Sequence, residues 1–151
     1  IEMTFPARPP KAVSDIPSAL IEGLSCDVER VLLSPQAYFV VVDSQQGVLE
    51  VQYRSEHLKT LAPYDVVVTA KGDQQDFVSR YFWPANGGDE DPVTGSIHAG
   101  LAPFWAEELG KTSLVAYQAS QRGGILHCEV IGEQVRVSGD GVLYMKGKIF
   151  V

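Results

Sequence analysis

The sequence predicts an α+β fold in which a mixed, strongly curled and barrel-like β-sheet wraps around one central helix. Short β-rich runs alternate with turn residues along most of the chain, a pattern typical of barrels and curled sheets. Residues 92 to about 109 form one longer segment that is at first apolar or small on nearly every side, and helices of that kind are buried. A sheet curled around this helix accounts for both observations.

The first half of the chain predicts mainly strands. Residues 1–5 are predicted as a strand, and residues 6–10 as a proline-rich connector that cannot continue a sheet. Apolar spacing predicts a helix at about 16–24 with Ser14 or Asp15 as its N-cap, and Ser55 is predicted to cap a short helix that ends before Pro63. β-branched and aromatic runs predict strands at 28–33, 38–43, 48–53, 64–70 and 77–83, the first two forming a hairpin.

The second half is organised around the central helix. Asp91 is predicted as its N-cap and Pro92 as its first helical residue, a position that suits the fixed φ of proline. Pro103 is expected to bend the helix, and Gly110 is expected to end it. The remaining β-rich runs predict strands at 114–118, 124–130, 134–138 and 142–150.

The predicted start of the central helix is also a candidate anion site. Thr94, Gly95 and Ser96 leave backbone N–H groups with little side-chain bulk around them, and the helix dipole favours a carboxylate or phosphate there. Two interpretations remain open: an ordinary capped helix, or a ligand site in which Asp91 is an acid/base or polar contact and the Gly95 and Ser96 amides hold a carboxylate. The small residues and the run of three acids that ends at Asp91 favour the second.

Composition and charge argue against several classes of function. The 151 residues are enough for one domain with a real core, and the net charge of -7 would repel the phosphates of nucleic acid. No apolar run approaches the length of a membrane span. Two cysteines do not make a disulfide framework, which predicts reduced thiols and a cytoplasmic location. His57, His98 and His127 lack the spacing of metal ligands, so no metal site is predicted, and His98 is interpreted as a core residue.

One ordered set of motifs resembles a known family. Arg80-x-Phe82-x-Pro84, then Gly87, then the string Glu90-Asp91-Pro92-Val93-Thr94-Gly95-Ser96 resembles the second-half signature of the PhzF-like isomerases of phenazine biosynthesis, which belong to the diaminopimelate epimerase superfamily. The resemblance extends to Phe5-Pro6-Ala7 near the start of the chain. It also extends to Gln118 and the later Arg122-Gly123-Gly124.

The resemblance implies a diaminopimelate epimerase-like fold and a cofactor-independent isomerase or epimerase. In such proteins each half is a mixed sheet curled around a helix, and the active site lies between the halves. The family is understood to transfer a proton with a glutamate of the first half, assisted by the signature aspartate, which Asp91 matches here. Gly95 and Ser96, next to Thr94, match the positions that bind the substrate carboxylate. Residues 1–151 are then a single C-terminal domain whose N-terminal partner domain is absent. A mechanism with two cysteine thiols is not supported, because Ser96 stands at the helix start and no cysteine lies near it in the sequence.

Two functions of different classes therefore remain open. The first is the C-terminal domain of a PhzF-like isomerase that acts on a small carboxylate without a cofactor and is inactive as an isolated fragment. The second is a non-catalytic binding or interaction module on the same scaffold. We also expect an exposed interface where the absent half would pack, self-association of the fragment, and a homodimer.

Overall fold

The structure is a computed structural model that describes residues 1–28 and 30–149. The described residues form one mixed sheet of nine strands in the order β1-β9-β8-β7-β6-β5-β4-β3-β2. The β4–β5 and β6–β7 pairs are parallel and the other pairs are antiparallel. The strands are β1 (Glu2–Pro6), β2 (Lys11–Ala12), β3 (Arg30–Leu33), β4 (Ala37–Val41), β5 (Asp65–Lys71), β6 (Phe77–Phe82), β7 (Ser113–Gln118), β8 (Gly124–Ile131) and β9 (Gln134–Ser138).

Four α-helices accompany the sheet in the described part of the chain. They are α1 (Ser18–Gly23), α2 (Gln45–Glu50), α3 (Ser55–Leu58) and α4 (His98–Leu109), with short 3₁₀ turns at Lys59–Leu61 and Pro84–Asn86. No helix among residues 1–28 and 30–149 combines the length and apolar character that crossing a membrane requires.

The two edges of the sheet are joined by a very short connector, which requires the sheet to curl. β1 and β2 occupy opposite edges, yet only residues 7–10 separate them. Nine strands laid flat would span about 38 Å between the edge strands, whereas the connector can reach at most about 18 Å. Arg8 N donates to Ala99 O of α4 at 2.8 Å, so the connector passes over the helix. In the described residues β1 and β2 form no ladder with each other, and the predicted barrel-like sheet is therefore open and not closed.

Helix α4 lies in the larger apolar core, as its composition predicts. Leu101 and Ala102 are fully buried, and this core draws side chains from β3 to β9. The close approach of α4 to β4 and to the connector between β1 and β2 depends on Gly100, because a Cβ there would lie 2.8 Å from Phe39 Cζ and 3.0 Å from Arg8 O. Gly110 ends the helix with a φ of 65°, the left-handed conformation expected of a glycine C-cap.

A second apolar core lies on the other face of the central strands. In β5, Val67 faces α4, whereas Val66 and Val68 belong to a separate cluster that includes Leu20 of α1 and Val48 of α2. This arrangement explains why the central strands are apolar on both faces, and the hairpin prediction for 28–33 and 38–43 is confirmed as β3 and β4. Residue 29 of that predicted hairpin lies outside the described residues.

Two predicted strands are wrong. Residues 48–50 belong to helix α2 and residues 51–53 form no strand, because Ser44 Oγ accepts a hydrogen bond from Gly47 N at 3.2 Å and so caps a helix where alternation predicted a strand. Residues 142–149 form no strand and lie exposed: their composition is β-rich, but the segment pairs with neither edge strand of the open sheet. Residue 150 of that prediction lies outside the described residues.

The predicted caps of the two short helices also differ from the structure. Helix α1 begins at Ser18 after Pro17, so neither Ser14 nor Asp15 is its N-cap. Arg54 occupies the N-cap of α3, which makes Ser55 the first helical residue. The Ser55 hydroxyl instead donates to Asp89 Oδ1 at 3.0 Å, a contact between segments far apart in the sequence.

Candidate functional site

Helix α4 begins six residues later than predicted, and this changes the role of Asp91. The N-cap of α4 is Ile97, which has helical backbone angles and makes no side-chain cap hydrogen bond. Asp91 is therefore not the N-cap, and Pro92 is not the first helical residue. Residues 94–97, here called the α4 turn, lead into the helix through hydrogen bonds from His98 N to Gly95 O (3.2 Å) and from Ala99 N to Ser96 O (3.1 Å).

Gln118 at the end of β7 explains why the helix does not start earlier. Its Oε1 accepts from Thr94 N at 2.8 Å, and its Nε2 donates to Asp91 O at 2.8 Å and to Thr94 Oγ1 at 3.2 Å. The Thr94 N–H can only donate and the Asp91 carbonyl can only accept, so the orientation of this fully buried amide is fixed. Gln118 thereby holds residues 91–94 against the sheet and out of a helix.

Two of the backbone amides of the α4 turn, those of Gly95 and Ser96, belong to residues that solvent reaches, whereas Ile97 is only 1% exposed. Within the described residues, the backbone N–H groups of Gly95, Ser96 and Ile97 have no acceptor. Gly95 also lines an open cavity of about 690 Å³ together with Met3 of β1, Arg122 of the loop before β8, and residues of β8 and β9. Bare amides at the start of a twelve-residue helix form a favourable environment for a carboxylate. Solute can therefore approach the turn at Gly95 and at the exposed Ser96.

Asp91 lies beside this turn with a half-buried carboxylate. Its Oδ2 accepts a hydrogen bond from Thr94 Oγ1 at 2.6 Å. Both hydrogen-bond donors of Thr94, its N–H and its hydroxyl, are therefore engaged within the protein. Of the predicted site residues, the structure brings Asp91, Thr94, Gly95 and Ser96 together, with Gly95 and Ser96 as the residues whose donors are free toward a ligand.

The three consecutive acids do not share one site. Asp89 accepts from Ser55, as described above, and Glu90 forms a two-pronged ion pair with Arg80, with Nε–Oε1 at 2.7 Å and Nη2–Oε2 at 3.0 Å. Arg80 also donates to the carbonyl of Val51 at 2.7 Å, just after α2. The Arg80 and Glu90 side chains are only 13% and 18% exposed. Through Arg80, the loop before the α4 turn is therefore held firmly against the end of α2. Asp91 is the only one of the three acids that reaches the turn.

The Ser96 side chain is hydrogen-bonded on the side away from Asp91 to residues that the sequence alone did not indicate. Its Oγ lies 3.0 Å from Gln36 Nε2, which in turn lies 2.9 Å from Tyr81 Oη. Tyr81 donates to the buried carboxylate of Asp65 at 2.5 Å. The one sequence signal was Asp65 itself, an acid directly before a run of three valines in a largely buried strand.

His98 holds the turn from the core. The prediction that it is a core histidine is confirmed, since it is fully buried and its ring lies 5.9 Å from that of Phe77. Its Nδ1 lies 2.8 Å from Thr94 O, which can only accept, so Nδ1 carries the hydrogen. Nε2 is then a bare acceptor with no partner among the described residues. Burial lowers the pKa of His98 to about 4, although its hydrogen bond to Thr94 acts in the opposite direction.

Residues that could hold a metal ion do not cluster in the described part of the chain, where no group of three or more His, Cys, Asp or Glu side chains has suitable geometry. Cys26 and Cys128 are both free thiols. Burial raises the pKa of each thiol, that of Cys128 to about 12, so neither resembles an activated thiolate. The polar groups collected at the α4 turn are thus hydrogen-bond donors and one carboxylate.

A family model and individual relatives both match nearly the whole chain. The model of the family described as phenazine biosynthesis-like protein matches residues 1–147. An uncharacterized isomerase of Pseudomonas aeruginosa is 44% identical over 149 residues, which cover 99% of this chain and 57% of that protein. An uncharacterized isomerase of Halalkalibacterium halodurans is 36% identical and is matched over 100% of this chain and 58% of its own length.

Solved structures agree with these relatives. A phenazine biosynthesis protein of the PhzF family from Enterococcus faecalis superimposes with a TM-score of 0.90 at 36% identity, covering 99% of this chain and 57% of that one. A putative phenazine biosynthesis PhzC/PhzF protein from Clostridium difficile gives a TM-score of 0.87 at 38% identity with the same coverage. The chain thus spans a little over half the length of the proteins that it matches.

Proposed function

Because this chain belongs to the phenazine biosynthesis-like (PhzF) family, we propose that it is one domain of a cofactor-independent isomerase or epimerase that transfers a proton on a small carboxylate. The observation that carries the proposal is the pair of bare amides at Gly95, which lines an open cavity, and at the exposed Ser96, next to the carboxylate of Asp91. The names of the curated relatives as isomerases support the reaction class.

The chemistry assigned to the turn follows from its donors. Amides directed at a substrate carboxylate would bind its negative charge and would also stabilise the additional charge that develops when a proton leaves the neighbouring carbon. The dipole of α4 adds to this effect because its positive end lies at the turn. These interactions need neither a metal ion nor an organic cofactor.

Asp91 is proposed to assist proton transfer. Its Oδ2 is occupied by Thr94, whereas Oδ1 has no partner among the described residues and can accept or deliver a proton. Thr94 fixes the orientation of the carboxylate, which is why we assign it a positioning role next to the contact residues Gly95 and Ser96. The carboxylate that moves the proton on carbon is proposed to be a glutamate of a second domain.

The proposal accordingly makes this chain the C-terminal half of a two-domain protein whose active site lies between the halves. Support comes from its coverage of 57% of the relatives and from the family signature carried by residues 80–96. The domain alone is then inactive, because one wall of the cleft and the glutamate base are supplied by the other half. The two free thiols fit the proposed cytoplasmic location.

The binding step is tested by titrating the ¹⁵N-labelled protein with benzoate and, as a matched neutral control, with benzamide. We expect the amide signals of Gly95 and Ser96 to shift with benzoate and to stay nearly unchanged with benzamide. If benzoate shifts none of these signals, the α4 turn is not a carboxylate site and the proposal fails.

The catalytic step is tested in a protein that contains this domain together with its complementary half. Deuterium incorporation from D₂O into candidate carboxylic acids is measured by mass spectrometry. Asp91→Asn keeps an acceptor for Thr94 but removes the acid/base, so exchange should fall by about a hundredfold or more. Asp89→Asn, the same chemical change two residues away, should leave the rate near wild type. Unchanged exchange in Asp91→Asn would exclude its proposed role.

A non-catalytic interaction module is the second candidate, and the exposed segment 142–149 favours it. Val142, Leu143, Tyr144 and Met145 are each at least 78% exposed, an arrangement that suits a protein interface. We propose that this surface also supports the expected homodimer. The two functions are distinguished by the exchange assay: a module that only binds partners gives no solvent exchange in either the wild type or the variants.

A further inference from the structure

Ser96, which the proposed function places against the bound carboxylate, is the end of a hydrogen-bonded chain that runs into the sheet. Its Oγ contacts Gln36 Nε2 at 3.0 Å, Gln36 Nε2 contacts Tyr81 Oη at 2.9 Å, and Tyr81 Oη contacts Asp65 Oδ2 at 2.5 Å. Gln36 precedes β4, Asp65 begins β5 and Tyr81 lies near the end of β6, so these residues come together at one end of three neighbouring interior strands.

The direction of each hydrogen bond can be worked out from the inner end. The carbonyl of Pro63 can only accept, so Asn86 directs its Nδ2 toward it at 3.2 Å. The same nitrogen lies 2.7 Å from Asp65 Oδ1, which makes that oxygen an acceptor. The other oxygen of this buried carboxylate is left to accept from Tyr81, whose single hydroxyl hydrogen therefore points toward Asp65.

Tyr81 then determines the orientation of Gln36. With its hydrogen given to Asp65, Tyr81 Oη can only accept, and Gln36 must present its NH₂ group instead of its carbonyl oxygen. Burial and then the hydrogen bond to Asp65 raise the pKa of Tyr81 above its ordinary value, so the phenol keeps its proton at any working pH. The direction of this hydrogen bond is therefore constant.

The second hydrogen of the Gln36 amide is donated to Ser96 Oγ. The Ser96 hydroxyl hydrogen is then directed elsewhere, and no acceptor for it exists among the described residues. We infer that Asp65, Tyr81 and Gln36 are positioning residues that fix Ser96 as a hydrogen-bond donor toward the bound ligand. This inference rests on the proposed function and deepens it: the Ser96 hydroxyl hydrogen is kept for an acceptor on the ligand, such as a carboxylate oxygen.

Gln36→Glu reverses the direction of the hydrogen bond between residues 36 and 96 and provides the test. A carboxylate at position 36 has no hydrogen to give, so the Ser96 hydroxyl turns toward it and is lost to the ligand. The dissociation constant of benzoate is measured by ¹⁵N titration in the wild type, Ser96→Ala, Gln36→Glu and the double variant. Comparing each protein with its own Ser96→Ala derivative cancels the repulsion between benzoate and the added charge.

We expect Ser96→Ala to weaken benzoate binding about tenfold in the wild-type background, the loss of one hydrogen bond to a charged group. In the Gln36→Glu background the same substitution should change the affinity less than about twofold. Gln74→Glu, an identical change at an exposed residue of the β5–β6 turn, should leave the tenfold effect of Ser96→Ala intact. Amide dispersion in the ¹⁵N spectra shows whether each variant is folded.

Tyr81→Phe gives a second test that adds no charge. Without the phenol, nothing prevents Gln36 from turning its carbonyl oxygen toward Ser96, so the effect of Ser96→Ala should fall severalfold in this background as well. An equal effect of Ser96→Ala in all backgrounds would overturn the inference while the proposed carboxylate site stands. Absence of benzoate binding in the wild type would overturn the proposed function, and the inference with it.

Discussion

His98 makes the stability of this domain depend on pH in a way that can be calculated. The ring is fully buried, Nδ1 donates to Thr94 O at 2.8 Å, and Nε2 has no partner among the described residues. A second proton on Nε2 would be buried without an acceptor. Burial therefore lowers the pKa of His98 to about 4 in the folded protein, whereas an unfolded chain has a histidine pKa of about 6.5.

The direction of the pH dependence of stability follows from whether the folded or the unfolded state binds the additional proton. Between pH 6.5 and pH 4 the unfolded chain takes up a proton that the folded protein refuses, so the contribution of His98 is fully present above pH 6.5 and is lost as the pH falls toward 4. The difference between the two pKa values corresponds to about 3 kcal/mol in total. About 2 kcal/mol of this should be lost between pH 7 and pH 5.

The assay is urea unfolding followed by circular dichroism at pH 7, 6 and 5. The free energy of unfolding of the wild type should fall by about 2 kcal/mol more over this range than that of His98→Gln. An offset between the two proteins at pH 7 does not affect the comparison, because only the pH dependence is compared. His127→Gln, which removes an exposed histidine, should keep the wild-type dependence. Parallel curves for the wild type and His98→Gln would refute the reasoning.

Three further predictions concern the framework of the site. Arg80→Lys cannot form the two-pronged ion pair and leaves its glutamate partner poorly paired at low exposure, so chemical denaturation should show a loss of about 3 kcal/mol. Gly100→Ala places a Cβ 3.0 Å from a backbone carbonyl of the β1–β2 connector and should lower the melting temperature by several degrees; Gly147→Ala, with nothing within 4 Å, should not. Tyr144→Ser removes a side chain that is 98% exposed, and sedimentation velocity should show weaker self-association than in the wild type.

The sequence was informative where one physical requirement dominates. The apolar and small residues of the central helix could only be accommodated inside the fold, and α4 is buried accordingly. The alternating and β-branched runs placed β5 and β6 within one or two residues of their observed limits. The run of small residues from Thr94 to Ser96 also identified the turn where the bare amides lie.

Prediction failed where a distant residue overrides a local preference. Asp91 and Pro92 are favourable helix-start residues, but Gln118, 27 residues from Asp91, supplies the hydrogen bonds that keep them out of the helix. The chain from Asp65 through Tyr81 and Gln36 to Ser96 joins segments separated by up to 60 residues, and no local pattern indicates it. Residues 142–149 have strand composition, yet a strand forms only when its backbone pairs with another strand, and the local sequence does not specify that pairing.

The residues that hold the α4 turn share one property that bears on its function. Gln118 of β7 forms a hydrogen bond with Thr94 N, and Gln36, just before β4, forms one with Ser96 Oγ. His98 forms a third with the Thr94 carbonyl from the core. All three side chains are neutral, His98 because its lowered pKa keeps it unprotonated. A carboxylate in their place would neutralise the positive potential of the bare amides, and a cation would bind the substrate charge directly. Under the proposed function, these neutral side chains fix the geometry of the turn and leave its positive potential to the ligand, although the net charge of the domain is -7.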